Sequence, residues 1–275
     1  MEHVTAQGIE IPKLGYGTYQ LEGRDCRDGV AHALAVGYRH IDTAQGYQNE
    51  DLVGEAIAAS GVPRDEIFLT TKLRRSNLTA RKVRASTEES LARLEADYLD
   101  LLLIHWPSPD VSLAETLEAM AGLQQDGMVR GIGVSNFPPS LVRQTLAHTA
   151  IVANQVEYHV YLSQGELLAL AREHDHALTA YSPLARGEPL DEPALVEIAE
   201  AHGATPGQVA IAWLLAQDKV VAIPKATAPD RIEENLAAAE VRLSEDEMAA
   251  LAALDRGSAG RIVEPAFAPD WERSD

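Results

Sequence analysis

Short apolar runs alternate along this chain with longer segments whose apolar positions recur at helical spacing. The runs fall near residues 14–18, 38–42, 67–72, 99–105, 131–135, 151–155, 177–181 and 220–224. Ahead of them, VTAQGIEIP centres on Gln7-Gly8 and predicts a hairpin within residues 3–13. In residues 80–96, Val83, Leu91 and Leu94 share one helical face, with charged residues mostly opposite. Capping-box spacing marks helix starts at Ser163 with Glu166 and at Ser244 with Glu247. Thr205 before Pro206 marks another, with the hydroxyl at the N-cap and proline at the first helical position.

Strands that alternate with helices imply a parallel sheet with helical crossovers. LDLLLI at residues 99–104 is nearly all apolar, as a strand covered on both faces should be. Two architectures compete, an open doubly wound sheet and a closed (β/α)8 TIM barrel. An open dinucleotide-binding sheet carries G-x-G-x-x-G after its first strand, and GYGTYQLEG lacks that spacing. Eight units in 275 residues favour the barrel. No linker or shift in composition interrupts the pattern. The expected architecture is therefore one α/β domain over residues 1–275, a (β/α)8 barrel with an N-terminal β-hairpin and a C-terminal tail.

Charge narrows the partners. A formal net charge of −19 would repel nucleic acid and acidic membrane surfaces. The single cysteine, Cys26, precludes an intramolecular disulfide and fits a reducing compartment. MEHVTAQGIEIP lacks the basic start and apolar core of a secretory signal, and the apolar run at 98–106 is too short to span a bilayer. A cytoplasmic protein acting on small molecules is expected, with no nucleic-acid or membrane partner.

In a barrel, the loops at the C-terminal strand ends build the site. Here those ends carry Asp42 with Tyr47, then Lys72, then His105 with Trp106. Further on come Ser135-Asn136, Gln155, Tyr181-Ser182 and Lys225. Taken singly, each has a plain structural explanation: a cap, a core histidine, a solvated strand end. An acid, a phenol, a lysine and a histidine on consecutive strand ends offer more. A free phenol titrates near pH ~10, and a lysine ammonium beside it is expected to lower that value. A buried lysine needs a paired carboxylate, which Asp42 can supply. Tyr47 can then act as general acid toward a carbonyl oxygen, with Lys72 and His105 stabilising the developing alkoxide. No H-e-x-x-H or comparable ligand spacing suggests a metal, and no G-x-S-x-G elbow is present.

The segments LGYGT, YRHIDTAQGYQNE, TTKL, LIHWP, GIGVSNF, NQVEYH, YSPL and IPKATAPDRIEENL resemble, in order, the motifs of the aldo-keto reductases. The resemblance runs from residue 12 to about residue 271. It implies a (β/α)8 barrel that binds NADPH across the strand ends and transfers hydride to a carbonyl. Matched motif to motif, it implies Asp42, Tyr47, Lys72 and His105 as a catalytic tetrad. Ser135, Asn136 and Gln155 would bind the nicotinamide carboxamide, and Tyr181 would stack on its ring. Gly17 and Thr18 would lie beside the cofactor, with Ser182 and Leu184 near its pyrophosphate. Lys225 and Arg231 would face the 2′-phosphate, with Glu234 and Asn235 at the adenine.

Two departures stand out. Where the family pattern has hydroxyls after the lysine, this chain has Ala226 and Ala228 around Thr227. Both cations remain, so NADPH is expected, with NADH accepted more weakly. Arg74 stands where many relatives carry tryptophan, and a guanidinium there could read a substrate carboxylate or simply face water. Tyr19 and Trp106 are expected as aromatic pocket walls. Short loops at 107–112 and 185–191 predict an open pocket for small aldehydes, α-dicarbonyls or keto-sugar acids, in a monomer. The alternative is a cofactor-binding redox sensor with slow turnover, as some members of the superfamily are.

Overall fold

The hairpin forms where Gln7-Gly8 places it, with β1 (His3–Ala6) antiparallel to β2 (Ile9–Pro12). Both turn residues take positive φ, the conformation a two-residue turn matched to strand twist requires. The structure, a computed structural model, describes residues 2–271. The expected span of 1–275 thus includes residue 1 and residues 272–275, which lie outside the described residues.

Eight further strands follow as the apolar runs predict. They are β3 (Tyr16–Gly17), β4 (His40–Asp42), β5 (Phe68–Leu73) and β6 (Leu99–Ile104), then β7 (Val129–Ser135), β8 (Ala153–Glu157), β9 (Ala177–Tyr181) and β10 (Val220–Ala222). They form one sheet in sequence order with every pairing parallel. The sheet is curled, so that its two edges meet. Gly15 N–H donates to the Ala222 carbonyl at 2.9 Å, and Ala222 N–H to that of Lys13 at 2.8 Å.

Helices make the crossovers and cover the outside. They are α1 (Gly23–Val36), α2 (Glu50–Ala59), α3 (Ala80–Arg93), α4 (Leu113–Gln125) and α5 (Pro139–Leu146). After them come α6 (Gly165–Glu173), α7 (Pro193–His202), α8 (Pro206–Leu215), α9 (Pro229–Ala237) and α10 (Glu245–Ala252). Among the described residues, no helix is long and apolar enough to cross a membrane. The capping boxes form at Thr205 with Gln208 and at Ser244 with Glu247. The box expected at Ser163 does not: α6 starts after Gln164, and the Ser163 hydroxyl donates instead to Asp255 at 2.6 Å. Glu166 turns outward to pair with Arg143.

Strand alternation sorts the core into two parts. Leu102 and Ile104 face the helices and join the large outer core. Leu101 and Leu103 face inward and meet Phe68, Ala153, Ala177 and Val221, with Val4, Ala6 and Ile11 of the hairpin. The hairpin therefore packs against the inner faces of the strands. The same alternation carries His40 to Asp42, Phe68 to Lys72 and Ala153 to Gln155. Polar groups at the strand C-termini thus project inside the curl. That is how the sheet positions a site.

Close helix packing depends on Gly54 in α2, where an added Cβ would lie 2.6 Å from the Leu94 carbonyl carbon and 2.7 Å from the Arg93 oxygen. Gly122 in α4 faces open space instead, with nothing within 4 Å. Gly54→Ala should therefore destabilise the protein by about 1–3 kcal/mol. Gly122→Ala should stabilise it by about 0.5–1 kcal/mol. Urea unfolding midpoints of the two variants against wild type check both signs.

Candidate active site

β4 ends in Asp42, whose side chain is buried inside the curl. From the next inward-facing strand, Lys72 reaches it, with no exposed surface at all. Lys72 Nζ donates to Asp42 Oδ1 at 2.5 Å, to the Thr43 carbonyl at 2.8 Å and to the Tyr47 hydroxyl at 3.4 Å. An ammonium has three donors and no acceptor, and here each donor meets one acceptor. The phenol oxygen thus accepts from Lys72, which leaves its own hydrogen free to point elsewhere. Gln155 Nε2 donates to the other Asp42 oxygen at 2.7 Å, so both carboxylate oxygens are held.

Burial governs the titration. It pulls the Lys72 ammonium down from its ordinary value, while the charge and hydrogen bond of Asp42 push back. Burial also raises the Tyr47 phenol well above 10.0, aided by the negative charge of Asp42. The expected lowering of the phenol by Lys72 is thus reversed, because desolvation outweighs the neighbouring cation. Tyr47 is held as a neutral phenol, the form that donates a proton. His105 follows β6, edge-on to Tyr47 with ring centroids 5.5 Å apart. Burial, with the Lys72 and Arg74 charges behind it, pushes His105 down to about 3 and keeps it neutral.

The loop carrying Tyr47 is tied down from two sides. Asn49 accepts from the Thr43 hydroxyl and donates to the carbonyls of Thr18 and Leu21. Gln45 donates to Ser86 and Ser90 of α3 and accepts from the Arg74 backbone and Asn77. Arg74 returns the contact by donating Nε–H to the Gln45 carbonyl at 2.9 Å. Its guanidinium thus serves the loop and does not line the cleft.

That cleft, of about 830 Å³, opens above Asp42, Tyr47 and His105. Of the expected residues, Gly17, Tyr19, Asp42, Tyr47, His105, Trp106, Ser135, Asn136, Gln155, Tyr181, Ser182, Leu184 and Lys225 line it. Thr18 is buried behind it, donating its hydroxyl to the Asp42 carbonyl at 3.1 Å. Arg231, Glu234 and Asn235 lie outside its lining; Arg231 pairs with Glu234 at 2.5 Å, and Glu234 also accepts from Thr205. Asn136, at positive φ, donates to the His105 carbonyl and accepts from the Tyr181 hydroxyl at 2.8 Å. Ser135 Oγ donates to the Gln155 carbonyl. These bonds join the ends of four strands into one polar floor.

Sequence reasoning did not assign one wall. Ile262, Val263, Glu264, Pro265 and Phe267 of the C-terminal tail line the cleft, and Phe267 meets Trp106 edge-on at 5.5 Å. The available signal was the apolar run IVEPAF, which belongs to no helix or strand pattern.

Below pH 6.5 an unfolded His105 would take up a proton that the folded protein refuses until about pH 3. Its contribution to stability is therefore complete above pH 6.5 and is lost as pH falls toward 3. Urea midpoints at pH 7 and pH 4.5 should separate less in His105→Gln than in wild type.

The chain matches the family model described as the aldo/keto reductase family over residues 13–256. It is 41% identical over 270 residues to methylglyoxal reductase DkgB of Escherichia coli O157:H7, covering 96% of this chain and 100% of that one. It is 44% identical over 254 residues to an aldo-keto reductase of Mycobacterium sp. (strain KMS), covering 91% and 92% of the two chains. A crystal structure of a protein provisionally called 2,5-diketo-D-gluconic acid reductase B superposes with a TM-score of 0.97 at 42% identity, covering 99% of this chain and 98% of that one. With the family's motifs at the strand ends and these likenesses over nearly the whole length, the chain belongs to the aldo/keto reductase family and is an oxidoreductase acting on carbonyl compounds.

Proposed function

We propose that this protein reduces small aldehydes and α-dicarbonyls with NADPH, using Tyr47 as the general acid. We read the curled sheet, whose edges are bonded through Lys13, Gly15 and Ala222, as a closed (β/α)8 barrel forming a single domain. The observation that carries the mechanism is the arrangement of three acceptors around Lys72 Nζ. With its oxygen already accepting from Lys72, the Tyr47 hydroxyl can give its hydrogen only outward, into the cleft. Neutral His105 beside it can bind the same substrate oxygen and orient it. As the proton leaves, Lys72 stabilises the phenolate and Asp42 keeps Lys72 cationic.

The cleft residues fit a nicotinamide dinucleotide. Its volume is within the ordinary range for cofactor sites, about 300–1,000 Å³. The amides of Asn136 and Gln155 and the Ser135 hydroxyl offer carboxamide-binding chemistry, and Tyr181 offers a ring face. Ser182 and Leu184 would lie near the pyrophosphate, and Lys225 brings a cation for the 2′-phosphate. In this reading Arg231 also meets the 2′-phosphate, and Glu234 and Asn235 the adenine, with NADH accepted more weakly. When bound, the cofactor supplies hydride to the carbonyl carbon.

Methylglyoxal and 2,5-diketo-D-gluconate are the first substrates to try, since relatives carry those names. The aromatic walls of Tyr19, Trp106 and Phe267 suit the smaller dicarbonyl. Arg74 gives its Nε–H to the Gln45 carbonyl and is not among the residues lining the cleft, which supports the smaller dicarbonyl over a keto-sugar acid. We read the protein as a cytoplasmic monomer, and the buried free thiol of Cys26 supports a reducing compartment.

Tyr47→Phe should retain NADPH binding by calorimetry while turnover at 340 nm falls by about 10²–10⁴-fold. Turnover near wild type would remove Tyr47 from the acid role. Lys225→Ala should weaken NADPH binding by about tenfold or more, as loss of a charge-assisted bond does, with little change for NADH. Equal losses for the two cofactors would mean that Lys225 does not read the 2′-phosphate.

A further inference from the structure

Glu157 is a buried carboxylate with no part in the chemistry above. Glu157 ends β8, is fully buried, and accepts three hydrogen bonds. Oε1 receives the Ile262 N–H at 2.8 Å and lies 2.8 Å from His159 Nε2; Oε2 receives the Val263 N–H at 2.9 Å. A carboxylate only accepts, so the His159 hydrogen sits on Nε2. Two of the three partners are thus consecutive backbone amides of the tail. Ile262 and Val263 belong to neither helix nor strand, and their N–H groups end on this side chain.

The tail is positioned in steps. Upstream, the Arg256 guanidinium lies 3.4 Å from the centre of the Tyr161 ring, and the Arg256 backbone N–H donates to the Tyr161 carbonyl at 3.0 Å. Gly260 then passes so close to Tyr161 that an added Cβ would sit 1.9 Å from its carbonyl oxygen. Next comes the Glu157 anchor, and directly after it the cleft-lining stretch that ends in Phe267. Phe267 remains 47% exposed, with Trp106 on its edge and the Arg75 guanidinium 5.0 Å from its ring centre. So exposed a ring depends for its position on where the preceding backbone is fixed.

We propose that Glu157 is the positioning residue for the substrate wall: by holding the Ile262 and Val263 amides it seats Phe267 against Trp106 and sets what bulk of carbonyl substituent the cleft accepts. In Glu157→Gln one oxygen becomes an amide nitrogen that cannot accept, so at least one of the three donors loses its partner. The kinetic part of this inference rests on the carbonyl-reductase reading, and the structural part does not.

Two measurements test it. Amide hydrogen exchange on the full chain should be faster at residues 262–267 in Glu157→Gln by about tenfold or more, the effect of losing a buried charge-assisted bond, with strand amides unchanged. KM for phenylglyoxal, whose ring needs the wall, should rise by about tenfold, while methylglyoxal kinetics move little. Should Glu157→Gln fail to fold, Ile262→Pro removes one tail N–H and leaves the carboxylate intact. Arg261, at ψ 129, already has the extended backbone that precedes proline. Ile262→Pro should speed exchange at residues 263–267, whereas Ile262→Ala, which keeps the N–H, should not. Wild-type exchange in the tail of Glu157→Gln and Ile262→Pro, or equal KM increases for both dicarbonyls, would overturn the proposal. If the wild-type enzyme reduced neither dicarbonyl, that substrate reading would fall and exchange alone would decide the role of Glu157.

Discussion

The burial of Lys72 is the constraint on which the rest of the site depends. An isolated ammonium inside a protein costs several kcal/mol, and only well-placed partners offset it. Asp42, the Thr43 carbonyl and the Tyr47 hydroxyl are those partners, and they come from one strand end and the loop that follows it. Fixing that loop requires Asn49 and Gln45, which tie it to the β3 end and to α3. The second oxygen of Asp42 requires Gln155 from the opposite part of the sheet. A single buried cation thus explains why polar side chains from so many elements converge.

The same burial decides the protonation states. Tyr47, packed against His105 and beside an anion, stays a neutral phenol, and His105 stays a neutral imidazole. A neutral acid beside a neutral hydrogen-bonding ring suits delivery of a proton to a carbonyl oxygen. In the proposed mechanism, cationic Lys72 matters most after transfer, when the phenolate needs a counter-charge. Pairing one group for the ground state and another for the product state is an electrostatic arrangement set before any substrate arrives.

The cleft has two kinds of wall. Its floor is built on strands, and Ser135, Asn136, Gln155 and Tyr181 are bonded to one another or to neighbouring strand ends. Its outer wall is a tail without regular structure, held by a carboxylate at the end of β8. Rigid elements suit the part that must place reacting atoms. An anchored tail suits a part that need only exclude or admit bulk.

Much of this was legible in the sequence. Apolar runs gave all eight sheet strands to within a few residues, because inward and outward burial leaves a strong periodic record. The placement of Asp42, Lys72 and His105 at strand ends, with Tyr47 in the loop after one of them, was legible too, since a polar residue ending an apolar run stands out, and ordered motifs gave the family. Ser163 does not cap α6 because its hydroxyl is bonded to Asp255, ninety-two residues away in the chain. The Tyr47 phenol moved opposite to expectation because depth of burial is a property of the assembled fold. The bond from Arg74 to the Gln45 carbonyl joins two loops and leaves no local pattern in the chain. The sequence by itself therefore determined the elements, their order and the residues at the strand ends, all of which follow from local periodicity. Only the tertiary structure decided which polar groups meet, which protonation states burial enforces, and that the tail forms a wall, because contacts between distant residues leave no period in the chain.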